Sequence, residues 1–265
     1  MRKFKLRIET LIFKLMYRLT NKLLVAALLM AMLTSCSSDS GIKGFFSGAA
    51  KTENFEAKEY RMPAQVFYSK EAKGFLYDKF FPIGWSSDGR FAYFQQLADE
   101  ACGCTWIFFR IYDVESQKNV CEIEYNDHGA GESIETIWKK IYPNAEKNMF
   151  EHKIVQYFKF NIHSTKFGTE NVIYELILHT ERASDPEYSI EFVKKASIEL
   201  VKQHTETRPV SEINYSSPYY VLDASVAGIV LSPNGLYGTV IYKEEKIGYE
   251  GPPQIIGYSL IGVAF

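Results

Sequence analysis

The sequence has no apolar run long enough to cross a membrane as a helix. Its longest run, Leu23–Leu33, has eleven residues, whereas a spanning helix needs about 20. Clusters of basic residues are also scarce. Beyond the first 22 positions, basic residues form only pairs such as Lys139-Lys140. A nucleic-acid partner would need a basic patch or stripe, so we expect none.

Motifs that mark catalytic centres are also missing. The histidines show no H-E-x-x-H or comparable ligand spacing, and no segment matches the G-x-S-x-G nucleophile elbow or the Gly-Lys-Ser/Thr phosphate loop. We therefore expect no metal and no cofactor, and the balance is against an enzyme. The histidines are His128, His152, His163, His179 and His204.

The first 35 residues have the charge pattern of an export signal. Residues 1–22 contain seven basic residues against one acidic residue, and the short apolar run follows them. A basic segment before a short apolar core is typical of a secretory signal peptide. The basic segment is long for such a signal, which favours Met16 as the true start.

The end of this apolar run, Leu33-Thr34-Ser35-Cys36, resembles the lipobox of bacterial lipoproteins. The resemblance implies that Cys36 is lipidated and that the signal (residues 1–35) is cleaved before it. It also implies a lipid anchor in the cell envelope, and Ser37 favours the outer over the inner membrane. An ordinary secretory signal and a retained N-terminal membrane helix are the alternatives.

Removal of residues 1–35 makes the chain acidic. It lowers the basic residues from 30 to 23 and the acidic residues from 32 to 31, giving a net charge of −8. The anchor, and not charge, would then hold the protein at a membrane. Residues 36–54, rich in Ser, Gly and Ala, are expected to be a lipidated flexible tether.

Residues 55–265 are expected to form a single β-rich domain of the α+β class. Short Tyr-, Phe- and Val-rich segments separated by turn residues predict nine to eleven strands in a largely antiparallel sheet or sandwich. Ile134, Ile137, Trp138 and Ile141 fall at helical spacing and are followed by Pro143. We predict a helix there and a second from Asn144, with Met149, Phe150, Ile154 and Tyr157 on one face, so that two helices are inserted near 132–157.

Two turns, Trp85–Arg90 (WSSDGR) and Leu231–Gly235 (LSPNG), resemble the repeat of TolB-type β-propeller blades. The resemblance implies a partial propeller-like arrangement as an alternative to the sandwich. The two copies lie 146 residues apart, whereas propeller repeats recur every 40–50 residues. Ser87 also occupies the position where the repeat prefers proline.

Three cysteines follow the tether, and they are a candidate disulfide or redox site: Cys102, Cys104 and Cys121. Exported thiols meet oxidising conditions. A hairpin around residues 115–119 would place Cys121 opposite residues near Ile111–Asp113, too far from Cys104 for a bond. A Cys102–Cys104 disulfide and a bond to Cys121 through another strand order stay open, and a metal or redox site is a third interpretation that the lack of further ligands disfavours.

The segment NDHGAGES offers the remaining chemical candidates, Asp127, His128 and Glu132. They would serve an exported hydrolase if folding brought them into one cleft. The other interpretation is a glycine-containing loop that ends at a helix N-cap near Glu132 or Ser133.

A binding or scaffolding role in the cell envelope is the function that the sequence favours. Tyr215, Tyr219, Tyr220 and Tyr249 lie near prolines, and exposed tyrosines would favour contact with an envelope protein, a peptide or a glycan. Buried tyrosines at the edge of a sheet are the other interpretation of the same residues.

Overall fold

A computed structural model describes residues 62–66, 75–98, 103–157, 159–168, 172–203, 205–215, 220–248 and 254–265. These residues belong to one compact unit, Ala57–Phe265. The predicted signal peptide, the lipidation site Cys36 and the tether lie outside the described residues, and so does Cys102.

The described residues are mainly β, as predicted, with 61% in strands and 10% in helix. The helix is α1 (Ile134–Glu151). The strands are β1 (Phe75–Tyr77), β2 (Lys79–Trp85), β3 (Arg90–Gln96), β4 (Trp106–Asp113), β5 (Lys118–Asn126), β6 (Val155–Gln156), β7 (Ile162–His163), β8 (Lys166–Gly168), β9 (Ile173–Asp185), β10 (Ile190–Lys202), β11 (Glu206–Asn214), β12 (Val221–Leu231), β13 (Tyr237–Lys246) and β14 (Gln254–Ala264).

The strands form three sheets. Sheet A has the order β5-β4-β3-β2-β6, sheet B the order β1-β14-β13-β12-β7, and sheet C the order β11-β10-β9-β8. The described pairings are antiparallel except β1 with β14. Most neighbours in a sheet are also neighbours in the chain, because tight turns connect antiparallel strands.

These elements stack in the order α1, sheet A, sheet B, sheet C. One core cluster joins α1 to sheet A, and it includes Trp138 and Phe94. A second joins sheets A and B, and a third joins sheets B and C. Sheets A and B are thus covered on both faces.

The strands in the middle of the stack show why this order forms. In β13, Val240 and Tyr242 belong to the cluster with sheet C, whereas Ile241 between them belongs to the cluster with sheet A. Successive side chains of a strand point to opposite faces. A strand with an unbroken apolar run therefore needs a packed layer on each side.

One helix, and not the predicted two, lies between β5 and β6. Helix α1 continues through Pro143 and ends at Glu151, and its buried residues are Ile137, Trp138, Ile141, Ala145 and Met149. Burial of this continuous stripe offsets the cost of a proline inside a helix, about 3 kcal/mol. The prediction that a second helix places Phe150, Ile154 and Tyr157 on one buried face is wrong. Phe150 is 83% exposed, and Ile154 and Tyr157 follow the end of α1.

No helix among the described residues is long and apolar enough to span a membrane.

Candidate functional site

Asp127 organises the loop that precedes α1. Its Oδ1 accepts hydrogen bonds from the backbone N–H groups of Thr105 (2.7 Å) and Gly129 (3.0 Å), and its Oδ2 accepts one from Glu132 N–H (3.0 Å). Chiefly the Thr105 bond lowers the pKa of this carboxyl. Ser133 caps the helix by accepting from Thr136 N–H. The loop-and-cap interpretation therefore accounts for the Asp127 carboxylate.

Glu132 has a structural partner as well. The Lys140 ammonium lies 2.5 Å from Glu132 Oε1, and Tyr125 OH donates to Glu132 Oε2 at 3.1 Å. The hydrogen bond from Lys140 is the main reason that the pKa of Glu132 is lowered. His128 is exposed, and its backbone has a positive φ of 51°. The loop gives both carboxylates structural partners, and no described contact joins either of them to the imidazole of His128.

The cysteines of the described region have different states. Cys104 is disulfide-bonded, whereas Cys121 is a free thiol. Cys121 pairs with Ile111 in the β4–β5 hairpin, which confirms the predicted register. Burial, followed by the charges of Glu151 and Glu122, raises the pKa of the Cys121 thiol to about 11. Such a thiol is largely protonated near neutral pH and is a poor nucleophile.

A buried carboxylate, Asp78, links sheet A to sheet B. Gln95 Nε2 and Tyr258 N–H donate to Asp78 Oδ2 (2.8 and 3.3 Å), and Ala98 N–H donates to Oδ1 (2.8 Å). Burial nevertheless raises the pKa of Asp78, although these bonds and the charge of Lys246 act in the opposite direction. Asp78 thus holds β14 against β2 and β3.

A second polar group lies between sheets B and C. Tyr215 OH donates to Glu244 Oε1 and lies 2.7 Å from the Tyr242 hydroxyl, while the Lys246 ammonium is 2.7 Å from Glu244 Oε2. Burial raises the pKa of both phenols, that of Tyr242 to about 12. They stay protonated at neutral pH, so this group positions strands and supplies no phenolate. Tyr215 is partly buried, which agrees with the interpretation of these tyrosines as buried residues at a sheet edge. Tyr219 and Tyr249 lie outside the described residues.

The two turns with propeller-type sequences lie against each other. One joins β2 to β3 and the other joins β12 to β13. A Cβ atom at Gly89 would lie 2.9 Å from the ring of Tyr237. Two segments that are distant in sequence therefore form one end of the interface between sheets A and B.

A cavity of about 240 Å³ opens beside these turns, and we call it the β6–β7 cleft. It lies where the chain crosses from the edge of sheet A, at β6, to the edge of sheet B, at β7. Gly84 permits this arrangement, because a Cβ there would lie 2.1 Å from the Val155 carbonyl oxygen. The crossing segment supplies Tyr157, Lys159, Phe160, Asn161 and His163, and the turns supply Trp85 and Leu231–Pro233.

Ring contacts hold the aromatic wall of the β6–β7 cleft. The ring of Phe160 meets those of Phe91 and Tyr157 edge-on, with centroids 6.2 and 6.1 Å apart. Trp85 packs on Phe91 at 4.8 Å. Such a wall binds apolar or ring-bearing groups, while neighbouring polar side chains fix their orientation.

The sequence interpretation did not identify the β6–β7 cleft. It treated Trp85 and Ser232 as turn residues, placed Tyr157 on a helix and gave His163 no role. The signal in the sequence was the segment from Gln156 to His163, where aromatic and polar residues are interleaved. That signal does not indicate which distant turns the segment meets.

No group of three or more His, Cys, Asp or Glu side chains within the described ranges is arranged to hold a metal ion. Comparison with known proteins finds no family model, no curated protein and no solved structure that matches this chain.

Proposed function

We propose that this protein is a lipid-anchored component of a bacterial cell envelope that acts by binding. The observation that carries the binding role is the β6–β7 cleft, which combines three aromatic rings with Lys159, Asn161 and His163. The lipobox-like Leu33-Thr34-Ser35-Cys36 supports the anchor, and Ser37 supports placement in the outer membrane. A peptide, a glycan or an envelope protein would present the bound group.

The geometry favours binding over the alternative of a hydrolase built on Asp127, His128 and Glu132. Three backbone donors hold both oxygens of the buried Asp127 carboxylate, and Lys140 pairs with Glu132. A general base must reach a substrate proton with a free lone pair. The finer architecture, a sandwich or a partial propeller-like arrangement, remains a prediction beside this proposal.

The anchor is tested by comparing the wild-type chain with Cys36→Ala in a bacterial host. Intact mass and detergent partitioning are measured for both. We expect the wild type to lose residues 1–35, gain acyl mass and enter the detergent phase, and we expect the variant to do none of these. If both proteins keep an unmodified residue 36 and stay in the aqueous phase, the anchor is wrong.

Binding is tested separately with a panel of small neutral, anionic and cationic ring compounds. The readout is the indole Nε1–H resonance of Trp85, assigned from its loss in Trp85→Phe. Trp85 lines the cleft, and its indole N–H is buried and has no hydrogen-bond partner among the described residues, so this resonance reports changes in the packing of the Trp85 ring. A panel in which no compound shifts this resonance contradicts the binding role of the cleft.

A further inference from the structure

The sign of charge in the β6–β7 cleft differs from that of the surrounding protein. None of the described residues that line it is Asp or Glu, whereas Lys159 and His163 both line it. Beyond residue 35 the chain has 31 acidic against 23 basic residues. A cleft without carboxylates in an acidic protein is suited to an anionic group and not to a cation.

One polar side chain of the cleft, Lys159, only donates, whereas Asn161 offers both donors and an acceptor. Ser232 Oγ donates to Asn234 Oδ1 (2.7 Å) and accepts from Tyr237 N–H (3.0 Å), so its hydroxyl is already used. The Lys159 ammonium has three donors and no acceptor. A ligand that brings acceptor oxygens therefore complements the cleft better than one that brings donors.

The size and wall of the cleft limit what accompanies these oxygens. A volume of about 240 Å³ holds roughly eight waters and is below the 300–1,000 Å³ that is typical of drug-sized ligands. Tyr157 and Phe160 offer ring faces and edges for a flat apolar surface. One six-membered ring with a short substituent fits these limits.

A phosphate is a weaker match than a carboxylate. Phosphate sites combine several charged or backbone donors, commonly an arginine fork or a helix N-terminus. No arginine is among the described lining residues, and the N-terminus of α1, at Ser133, is not among them either. A single ammonium, that of Lys159, in a cleft that His163 also lines matches a monoanion.

We infer that the β6–β7 cleft binds the carboxylate of a ring-bearing acid, with Lys159 as its ion-pair partner and Tyr157 and Phe160 against the ring. This inference rests on the proposed binding function of the same cleft. An aromatic acid and an acidic sugar share this chemistry, and the test separates them.

The test uses the full-length ¹⁵N-labelled chain in detergent micelles and follows the Trp85 Nε1–H resonance. The probes are benzoate and glucuronate, and their neutral counterparts are benzamide and methyl glucoside. We expect saturable binding of one acid and a shift of the resonance, with no saturation by its neutral counterpart. Benzoate binding would identify an aromatic acid, and glucuronate binding an acidic sugar.

Lys159→Met removes the charge and keeps most of the side-chain stem. We expect it to weaken binding of the acid about two- to fivefold, since Lys159 is exposed and an exposed ion pair contributes up to about 1 kcal/mol. Lys147→Met is the matched control, because Lys147 is 73% exposed on α1 and outside the cleft. It should leave the affinity unchanged.

Three results would overturn the inference: equal binding of an acid and its neutral counterpart, acid binding that Lys159→Met leaves intact, and no response to either acid. If neutral or cationic compounds still shift the Trp85 resonance, the binding function stands and only the carboxylate assignment fails. If nothing in the wider panel shifts it, the proposed function fails as well.

Discussion

The side-chain amide of Asn234 donates a hydrogen bond to the backbone carbonyl of Ser87, at 3.2 Å, across 147 residues of the chain. Ser87 lies in the β2–β3 turn and Asn234 in the β12–β13 turn. The bond joins sheet A to sheet B at the end where the β6–β7 cleft opens. The two similar turns thus bind each other and hold sheets A and B together beside the cleft.

Gly89→Ala tests this contact between turns. Gly89 has a φ of +87°, and a Cβ there would lie 2.9 Å from the Tyr237 ring. A left-handed backbone costs about 1–2 kcal/mol with any L side chain, and the clash adds to it. We expect the free energy of unfolding to fall by roughly 2–4 kcal/mol in urea denaturation.

Gly235→Ala is the matched control for Gly89→Ala. Its φ is +68°, and no atom lies within 4 Å of the position that a Cβ would occupy there, so only the backbone cost of about 1–2 kcal/mol applies. Equal losses in the two variants would show that the ring of Tyr237 does not press on the β2–β3 turn.

Asp78→Asn should destabilise the protein by about 1–3 kcal/mol at neutral pH. Asp78 Oδ2 accepts from Gln95 and Tyr258, and an amide nitrogen in that place would face two donors. Asp223→Asn, at an exposed position of β12, is the control and should change stability by less than about 0.5 kcal/mol. Urea midpoints measure both.

The cost of Asp78→Asn should depend on pH in a specific direction. Because burial raises the pKa of Asp78 in the folded state above the ordinary 3.8, the folded protein binds this proton more tightly than the unfolded chain. The contribution of Asp78 to the free energy of unfolding of the wild type is therefore greatest below pH 3.8, and it falls as the pH rises through the folded pKa. Asn does not titrate, so the variant does not lose stability in this way as the pH rises. The difference in free energy of unfolding between wild type and variant should therefore be larger at pH 3.5 than at pH 7. A larger cost at pH 7 would contradict the raised pKa.

Local patterns predicted the local parts of the fold. The turn residues after Asp113 predicted the β4–β5 hairpin, and the pairing of Cys121 with Ile111 follows from its register. The stripe from Ile134 to Ile141 predicted the first half of α1. These features depend on residues that are close in sequence. The periods of the strand and the helix determine which of those residues lie on the same face.

The layer order and the cleft could not be predicted in the same way. Strands β6 and β7 have two residues each, too few for a period, and they exist because β2 and β12 offer edges to pair with. Pro143 predicted the end of a helix. Burial of Ala145 and Met149, which follow it in α1, outweighs the tendency of proline to end a helix. In each case a partner distant in sequence decides the outcome.

Pro143→Ala should stabilise the protein by about 1–3 kcal/mol. Pro143 is exposed within α1, so its replacement removes little packing and restores a backbone N–H to the helix. Pro143→Gly is the comparison and should gain about 1 kcal/mol less. Thermal and urea unfolding measure both variants. A loss of stability in Pro143→Ala would show that the helix needs the local geometry imposed by proline.

Tyr215→Phe should change both the stability and its alkaline pH dependence. Removal of the hydroxyl takes one donor from Glu244, which should cost about 1–2 kcal/mol at pH 7. Burial raises the pKa of Tyr215 and Tyr242 above the ordinary 10.0, so the folded state keeps protons that the unfolded chain releases. Wild-type stability should therefore fall above pH 10, by up to about 1.4 kcal/mol per pH unit for each protected phenol.

The variant has one protected phenol fewer, so its stability should fall less steeply between pH 10 and pH 11.5, and its deficit at pH 7 should narrow there. Tyr188→Phe is the matched control, because that ring is 61% exposed at the β9–β10 turn; it should keep the wild-type slope. Urea midpoints at half-unit pH steps decide the matter. If Tyr215→Phe keeps the wild-type slope, the hydroxyl of Tyr215 titrates freely, and the bond to Glu244 does not hold its proton.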